Sequence, residues 1–369
     1  MLVKDLFKIK KGKKATESKS GTRYLQIKDL RNDDELKYAV PSEKNVICRI
    51  DDVLIAWDGA NAGTVGYNLE GVLGSTLAKL TPLNNDINSV YAGRFLQSKF
   101  NYLRSNCTGA TIPHISRPTL ENLNIPLPPL PTQQKIAAIL DEADKLRQLN
   151  KELIAKYDAL TQSLFLDMFG DPVSNPKGWE KKPMKGLMKI VRGGSPRPID
   201  KFLGGSYPWI KIGDATKGND IYLEKTKQHI IEEGLRKTRL LPKGSLIFAN
   251  CGVSLGFARI ITFEGCIHDG WLAFSDFDDE VLNKIFLLKA LNSVTRYFRE
   301  TAPDGTQPNL NTKIMSDFNI ILPPVELQNK YEGMLIVLEQ QKQQAQEALH
   351  KSDNLFNSLL QKAFKRELV

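Results

Sequence analysis

The sequence predicts an α+β protein built twice: two duplicated α/β domains separated by two long antiparallel coiled-coil helices, with a pseudo-two-fold relation between the halves. Three observations predict this. Blocks of the first half recur in the second in the same order. The apolar runs ahead of each Pro-Pro pair are short and broken by Gly, Asn, Asp and Pro, as in strands joined by turns. Beyond each Pro-Pro pair, apolar residues recur at spacings of three and four, as in a helix with one buried stripe.

The repeats are specific enough to align. Leu6-Phe7-Lys8-Ile9-Lys10-Lys11-Gly12 answers Leu187-Met188-Lys189-Ile190-Val191-Arg192-Gly193 at a shift of 181. Tyr24-Leu25-Gln26-Ile27-Lys28-Asp29 answers Trp209-Ile210-Lys211-Ile212-Gly213-Asp214 at 185. Val53-Leu54-Ile55-Ala56, with Gly59 and Gly63, answers Leu246-Ile247-Phe248-Ala249, with Gly252 and Gly256, at 193. Asn124-Ile125-Pro126-Leu127-Pro128-Pro129 answers Asn319-Ile320-Ile321-Leu322-Pro323-Pro324 at 195, and Gln133 and Lys135 answer Gln328 and Lys330 at the same shift. A shift that grows slowly means small loop insertions within one duplicated fold.

Domain boundaries follow from the repeats. The first domain takes residues 1–131, the first long helix 132–170, the second domain 171–325 and the second long helix 326–369. In the first helix Ile136, Ile139, Ala143, Leu146, Asn150, Leu153, Tyr157, Leu160 and Leu164 form the expected seam, with the polar Asn150 available to fix register. Pro131 ahead of Thr132 suits a helix start with Thr132 as cap, and Gly170-Asp171-Pro172 marks the end. About 38 residues of helix reach roughly 57 Å. The second helix, through Tyr331, Met334, Leu338, Ala345, Ala348, Leu355 and Leu359, has a glutamine-rich middle and a less regular seam. A chain ordered domain, helix, domain, helix pairs its helices antiparallel.

The composition is that of a globular protein, with 41% hydrophobic and 25% charged residues. No apolar run approaches the roughly 20 residues of a membrane helix, and the first residues do not read as a secretory signal, so the expected location is the cytoplasm. Cys48, Cys107, Cys251 and Cys266 have no C-x-x-C pairing and read as free thiols; no metal site is expected, although Cys266 and His268 lie close together. The net charge of +9 is unevenly placed. Residues 1–28 carry nine basic and two acidic residues, and residues 176–243 carry 16 and seven, while the remaining two segments are slightly acidic. Positive charge at the start of each half suggests two contacts with a polyanion. If each domain reads duplex DNA, the helix pair acts as a ruler between two half-sites, and unequal halves imply a bipartite, non-palindromic target.

Phosphate contacts need flexible cations, and base reading needs polar side chains that reach a groove edge. The candidates for the first kind are Lys10, Lys11, Lys13 and Lys14, with Lys8 and Lys19, in the first domain, and Arg192 and Arg197, with Lys201, in the second. For base edges they are Arg23, Gln26 and Asn61, and Lys211, Asn250 and Ser254. The Gly-led loops 109–114 and 305–311 occupy matched positions and imply one shared structural role. Trp57, Trp209 and Trp271 read as core. There is no G-x-x-x-x-G-K-[ST] loop, no G-x-G-x-x-G after a strand and no Asn-Pro-Pro-aromatic tetrapeptide, and none of the four histidines has a nucleophile partner in a recognisable motif. A duplicated metal-dependent nuclease and a protein-only coiled-coil scaffold are the alternatives to a DNA-reading protein.

The run Asn124-Ile125-Pro126-Leu127-Pro128-Pro129-Leu130-Pro131-Thr132-Gln133-Gln134-Lys135-Ile136-Ala137 resembles the entry into the first long helix of the specificity subunits of type I restriction-modification systems. Pro208-Trp209-Ile210-Lys211-Ile212-Gly213-Asp214 and Gly244-Ser245-Leu246-Ile247-Phe248-Ala249 resemble segments of that family's target recognition domains. The likeness covers essentially the whole chain. It departs at Val325-Glu326-Leu327-Gln328-Asn329-Lys330, which lacks the first copy's proline and double glutamine. The resemblance implies two target recognition domains on double-stranded DNA, two methyltransferase subunits bound to the chain, and restriction subunits joined through the complex. It also implies no catalytic residue, metal or cofactor in this chain, since the methyl donor and ATP belong to the partners.

Overall fold

The computed structural model describes residues 1–31, 35–109, 111–252, 254–301, 309–365, 367 and 368. The chain divides into two compact units: Met1–Leu153 with Gln344–Val369, and Ile154–Gln343.

In the first unit the strands Phe7–Lys11, Leu77–Pro82, Val53–Ala56 and Val65–Gly66 form an antiparallel sheet in that order. Val53-Leu54-Ile55-Ala56 is a continuous apolar run because both of its faces are covered. Val53 and Ile55 pack on one side with Tyr91, Phe95 and Leu96 of the helix Ser89–Ser98. Leu54 and Ala56 pack on the other with Leu25, Leu73 and Leu77. A second sheet takes Glu17–Ser18, Tyr38–Ala39, Thr22–Leu25, Gly71–Leu73 and Ile47–Cys48. Its pairing of Tyr24 with Val72 and Leu25 with Leu73 is parallel.

The second unit repeats the plan. Lys189–Arg192, Trp271–Ser275, Leu246–Ala249 and Ala258–Ile261 form the antiparallel sheet, with Tyr222–Leu223 added in parallel at its edge. Leu246 and Phe248 face the helix Lys284–Ser293, and Ile247 and Ala249 face Ile210, Ile267 and Trp271. The second sheet again carries one parallel pairing, of Trp209 with Cys266 and Ile210 with Ile267. Trp209 and Trp271 are buried, and Trp57 is half-buried against the first unit's core.

One side chain fastens each long helix to its domain. Gln133 is fully buried; its Nε2 donates to the carbonyls of Asp86 (2.8 Å) and Pro128 (2.9 Å), and its Oε1 accepts from the Asn88 amide (2.9 Å). Gln328, also fully buried, donates to Val281 (3.0 Å) and Pro323 (2.8 Å) and accepts from Asn283 (2.9 Å). Asn88 and Asn283 in turn cap the helices Ser89–Ser98 and Lys284–Ser293. All four members stand at the single shift of 195.

The long helices span Leu130–Phe169 and Val325–Lys365. Thr132 is not a cap: its amide and that of Gln133 both reach the Pro129 carbonyl, so Thr132 lies in the first turn, where Pro131 costs no backbone hydrogen bond. In the first unit Arg147 Nε meets Asp353 Oδ1 at 2.7 Å and Asn150 Nδ2 donates to Ser352 Oγ at 3.3 Å. In the second, Lys342 Nζ meets Asp158 Oδ1 at 2.5 Å, while Phe165 and Phe169 lie against Tyr331 with centroids 5.5 and 5.3 Å apart. Residue numbers rise on one helix as they fall on the other in each unit, so the segments run antiparallel in both.

The expected seam is half right. Ile136 and Ala143 are buried, but Ile139, Leu146, Leu153 and Leu160 are 38–49% exposed. Leu140, Arg147, Ile154 and Thr161 hold the inward positions one residue later. The helix must face both its partner helix and its domain, and a 3.6-residue turn carries the buried face past a strict seven-residue row.

Replacing Gln133 with Ala strands one amide and two carbonyls, and is expected to destabilise the first unit by about 3 kcal/mol. Gln328→Ala should do the same to the second. Denaturant melts followed by hydrogen exchange at the Asn88 and Asn283 amides check both.

Candidate nucleic-acid interface

Each unit builds a cleft where the loop after its first strand crosses the end of the second sheet. Gly12 makes the crossing in the first unit: its amide donates to the Leu77 carbonyl, and a Cβ there would lie 2.2 Å from the Gly74 carbonyl oxygen. Gly193 makes it in the second, donating to Trp271, and its Cβ would lie 2.3 Å from the His268 oxygen. Only glycine lets the backbones approach so closely. The basic loops are held against the strand ends by their backbone, which leaves their side chains outward.

A shared turn sets the opposite wall. The Gln26 amide donates to Asp29 Oδ2 (2.6 Å) and the Lys211 amide to Asp214 Oδ2 (2.9 Å), each closing a 3-10 turn. Two unlike side chains therefore leave the same backbone position. Gln26 shares its cleft with Lys14, Tyr24, Lys28 and Thr76. Lys211 shares its cleft with Ser195, Arg197, Trp209 and His268, and its ammonium lies 5.0 Å from the Trp209 ring centre.

The remaining expected residues are distributed as follows. Lys10, Lys13 and Lys14 are exposed. Lys11 is braced, its Nζ lying 2.6 Å from Asp58, whose other oxygen meets His114 Nδ1 at 2.6 Å. Arg23 lies 3.6 Å from Asp29. Arg192 donates to the Asp269 carbonyl (2.8 Å), and Arg197, with its side chain 80% exposed, lies 3.7 Å from the Asp269 carboxylate. Asn61 accepts from Arg31 at 2.6 Å on the loop after the central strand, away from the cleft lining. Ser254 is half-buried on the matching loop.

Asn250 lies deeper than a loop residue of its kind is expected to. It is fully buried, its amide donates to Gly270, its carbonyl accepts from Leu310, and its side chain donates to Asn309 Oδ1 (3.3 Å). Its Oδ1 is buried without a hydrogen-bond partner among the described residues. Of the two Gly-led loops, Ala110 and residues 305–308 lie outside the described residues.

Lys28, Thr76, Ser195 and His268 line the clefts, although the sequence does not mark them as DNA contacts. The two Gly crossings would have found the last: Gly74 and His268 touch them at equivalent places. His268 Nδ1 accepts from the Gly270 amide (2.9 Å), and Nε2 lies 3.0 Å from Asp269. Burial lowers the His268 pKa, and Lys211, Arg197 and Arg192 reinforce this against Asp269. Burial raises that of Asp269, but the Ser195 hydrogen bond and the surrounding His268, Arg192 and Arg197 outweigh it and hold it below the carboxylate range. The cleft thus presents a neutral imidazole beside an ionised carboxylate and several cations.

These features define a class: a duplicated α+β protein that offers one cation-rimmed cleft per unit. The family model described as type I restriction modification DNA specificity domain matches residues 1–157 and 176–360, and the chain belongs to that family. The chain is 26% identical to the type I restriction enzyme MjaVIII specificity subunit of Methanocaldococcus jannaschii, over 95% of this chain and 90% of that one. It is 20% identical to the EcoBI specificity subunit of Escherichia coli, over 95% and 81%. Among solved structures, the type I restriction-modification S subunit from M. genitalium superposes with a TM-score of 0.62 at 18% identity, over 99% of this chain and 95% of that one. These relatives lend no support to a nuclease or a protein-only scaffold. No helix among the described residues is long and apolar enough to cross a membrane.

His268 gives a pH dependence with a definite sign. Its folded pKa lies below the ordinary 6.5, so the unfolded chain takes up the proton first and the second unit loses stability as pH falls below about 6.5. Above that value both states are neutral and the effect vanishes. Thermal melts between pH 7.5 and 5 should show the loss in the native chain and a smaller one in His268→Gln.

Proposed function

We propose that the chain is the DNA-reading subunit of a type I restriction-modification complex, with each unit reading one half of a bipartite, non-palindromic duplex target. The observation that carries this is the cleft built twice by the same backbone devices and lined by different side chains. Conserving the frame while exchanging Gln26 for Lys211 and Tyr24 for Trp209 is what two readers of unlike half-sites require. On this reading Lys10, Lys11, Lys13, Lys14, Arg192 and Arg197 serve phosphates. Gln26 and Lys211 serve base edges from the clefts, and Arg23, Asn61 and Ser254 do so from outside the cleft linings.

The domain division 1–131, 132–170, 171–325 and 326–369 belongs to the same reading, as does a cytoplasmic location with the DNA. The chain has no chemistry of its own. It scaffolds two methyltransferase subunits and, through them, the restriction subunits, which bring the methyl donor and ATP. The row Ile139, Leu146 and Leu153 supports a helical partner contact, because three large apolar residues spaced by sevens along one helix are left in solvent.

Mapping of methylated bases in cells that express the chain with its methyltransferase tests the reading. A gapped motif should appear only when the chain is present. Lys211→Gln should relax or abolish one half of it and leave the other intact. Methylation that ignores the chain would sink the proposal. In binding assays with the assembled complex, Arg197→Ala should lower the slope of log affinity against log salt by about 0.9, the share of one phosphate contact.

A further inference from the structure

The duplication breaks down at one buried position. In the first unit Arg94, 5% exposed, fills a closed socket. Its Nε and Nη2 donate to Asp141 Oδ1 (3.0 and 2.8 Å), and Nη1 donates to Asp144 Oδ2 (2.8 Å) and Gln97 Oε1 (3.1 Å). The rings of Tyr67 and Phe356 each lie 5.4 Å from the guanidinium carbon.

At a shift of 195 the second unit has shorter residues at most of these places. Lys289 stands for Arg94, Asn292 for Gln97, Lys342 for Arg147 and Thr161 for Phe356. What remains is a cavity of about 670 Å³ lined by Thr161, Phe165, Asp220, Lys289, Tyr331 and Lys342, among others.

Polar capacity there is unmet. Tyr331 is fully buried, yet its hydroxyl has no hydrogen-bond partner. Asp220 Oδ1 is also without one, although Lys342 Nζ approaches to 3.8 Å. The cations are already engaged: Lys289 with Asp220 at 3.3 Å and Lys342 with Asp158 at 2.5 Å. Burial, then Asp220 and Glu339, push the Tyr331 pKa up, and that of half-buried Glu339 is raised by burial, Asp220 and Asp158 against the pull of Lys342 and Lys289.

We propose that this cavity is a socket for a guanidinium group supplied from outside the unit, held by Asp220 where the first unit holds Arg94 with Asp141 and Asp144, whose counterparts at the shift of 195 are Ile336 and Glu339. A planar cation would donate to Asp220 Oδ1 and the Tyr331 oxygen and rest on the Phe165 ring, where Phe356 serves Arg94. Its fork of donors matches several acceptors at once, which a single ammonium does not. The group can be carried by a small guanidino compound or by an arginine of a partner protein. The chemistry is the same.

The test is calorimetric titration of the full chain with agmatine, and with cadaverine and inorganic phosphate as controls. Agmatine should bind at one site per chain and raise the melting temperature. Thr161→Phe and Lys289→Arg, which refill the cavity as the first unit does, should leave the free chain folded and weaken agmatine binding at least about tenfold. Tyr331→Phe removes only the unmet hydroxyl and should weaken it several-fold without lowering the free chain's melting temperature. If Thr161→Phe also weakens assembly with the methyltransferase, the natural guanidinium is a partner's arginine; if assembly is unchanged, it is a free compound. No saturable agmatine binding, equal binding to the refilled variants, or preference for phosphate would each overturn the socket.

Discussion

A glutamine buried at the foot of each long helix ties helix, proline linker and core helix into one object. Gln133 and Gln328 have their amide hydrogens and oxygens matched to backbone groups that would otherwise be stranded in the core. Apolar contacts fix a helix's direction poorly, and each glutamine adds directional bonds at the foot of a 40-residue helix. Because the Asn88 and Asn283 backbones are held while their side chains cap the next helices, the orientation of the long helix passes to the sheet behind. The clefts are edges of those same domains, so what they present depends on this fastening.

Within each unit, frame and cleft lining are separated by chemistry. The frame is carried by backbone: glycines at the crossing, a carboxylate closing the 3-10 turn, a central strand covered on both sides. The cleft lining is carried by side chains that leave those fixed points, Gln26 in one unit and Lys211 in the other. A fold organised this way lets the lining change while the backbone stays, which is the physical requirement for a protein whose two halves recognise different things. The buried Arg94 and the cavity around Lys289 show that even the interior of the frame has diverged where the long helix meets the domain.

The long helices illustrate how far a periodic pattern can be read. Apolar residues at spacings of three and four establish helices, and their order in the chain establishes antiparallel pairing. Which row faces inward was misread for half the seam, because Leu140 and Ile154 compete with Ile139 and Leu153, and only the presence of a domain beside the partner helix decides between them.

The sequence by itself determined the duplication, the two long helices, the central apolar strands and the basic loops, because each is written in local spacing or in repeated blocks. It also held the glutamine pair, visible as two residues at one shift, although not what they bind. Tertiary structure alone decided that Asn250 is enclosed, that Lys11 is braced by Asp58, that His268 joins Lys211 and Arg197, and that Lys289 leaves space where Arg94 leaves none. The reason is common to all four. Burial and pairing are set by residues distant in sequence, and a polar side chain in a loop looks the same on paper whether its neighbours turn it toward solvent or close over it.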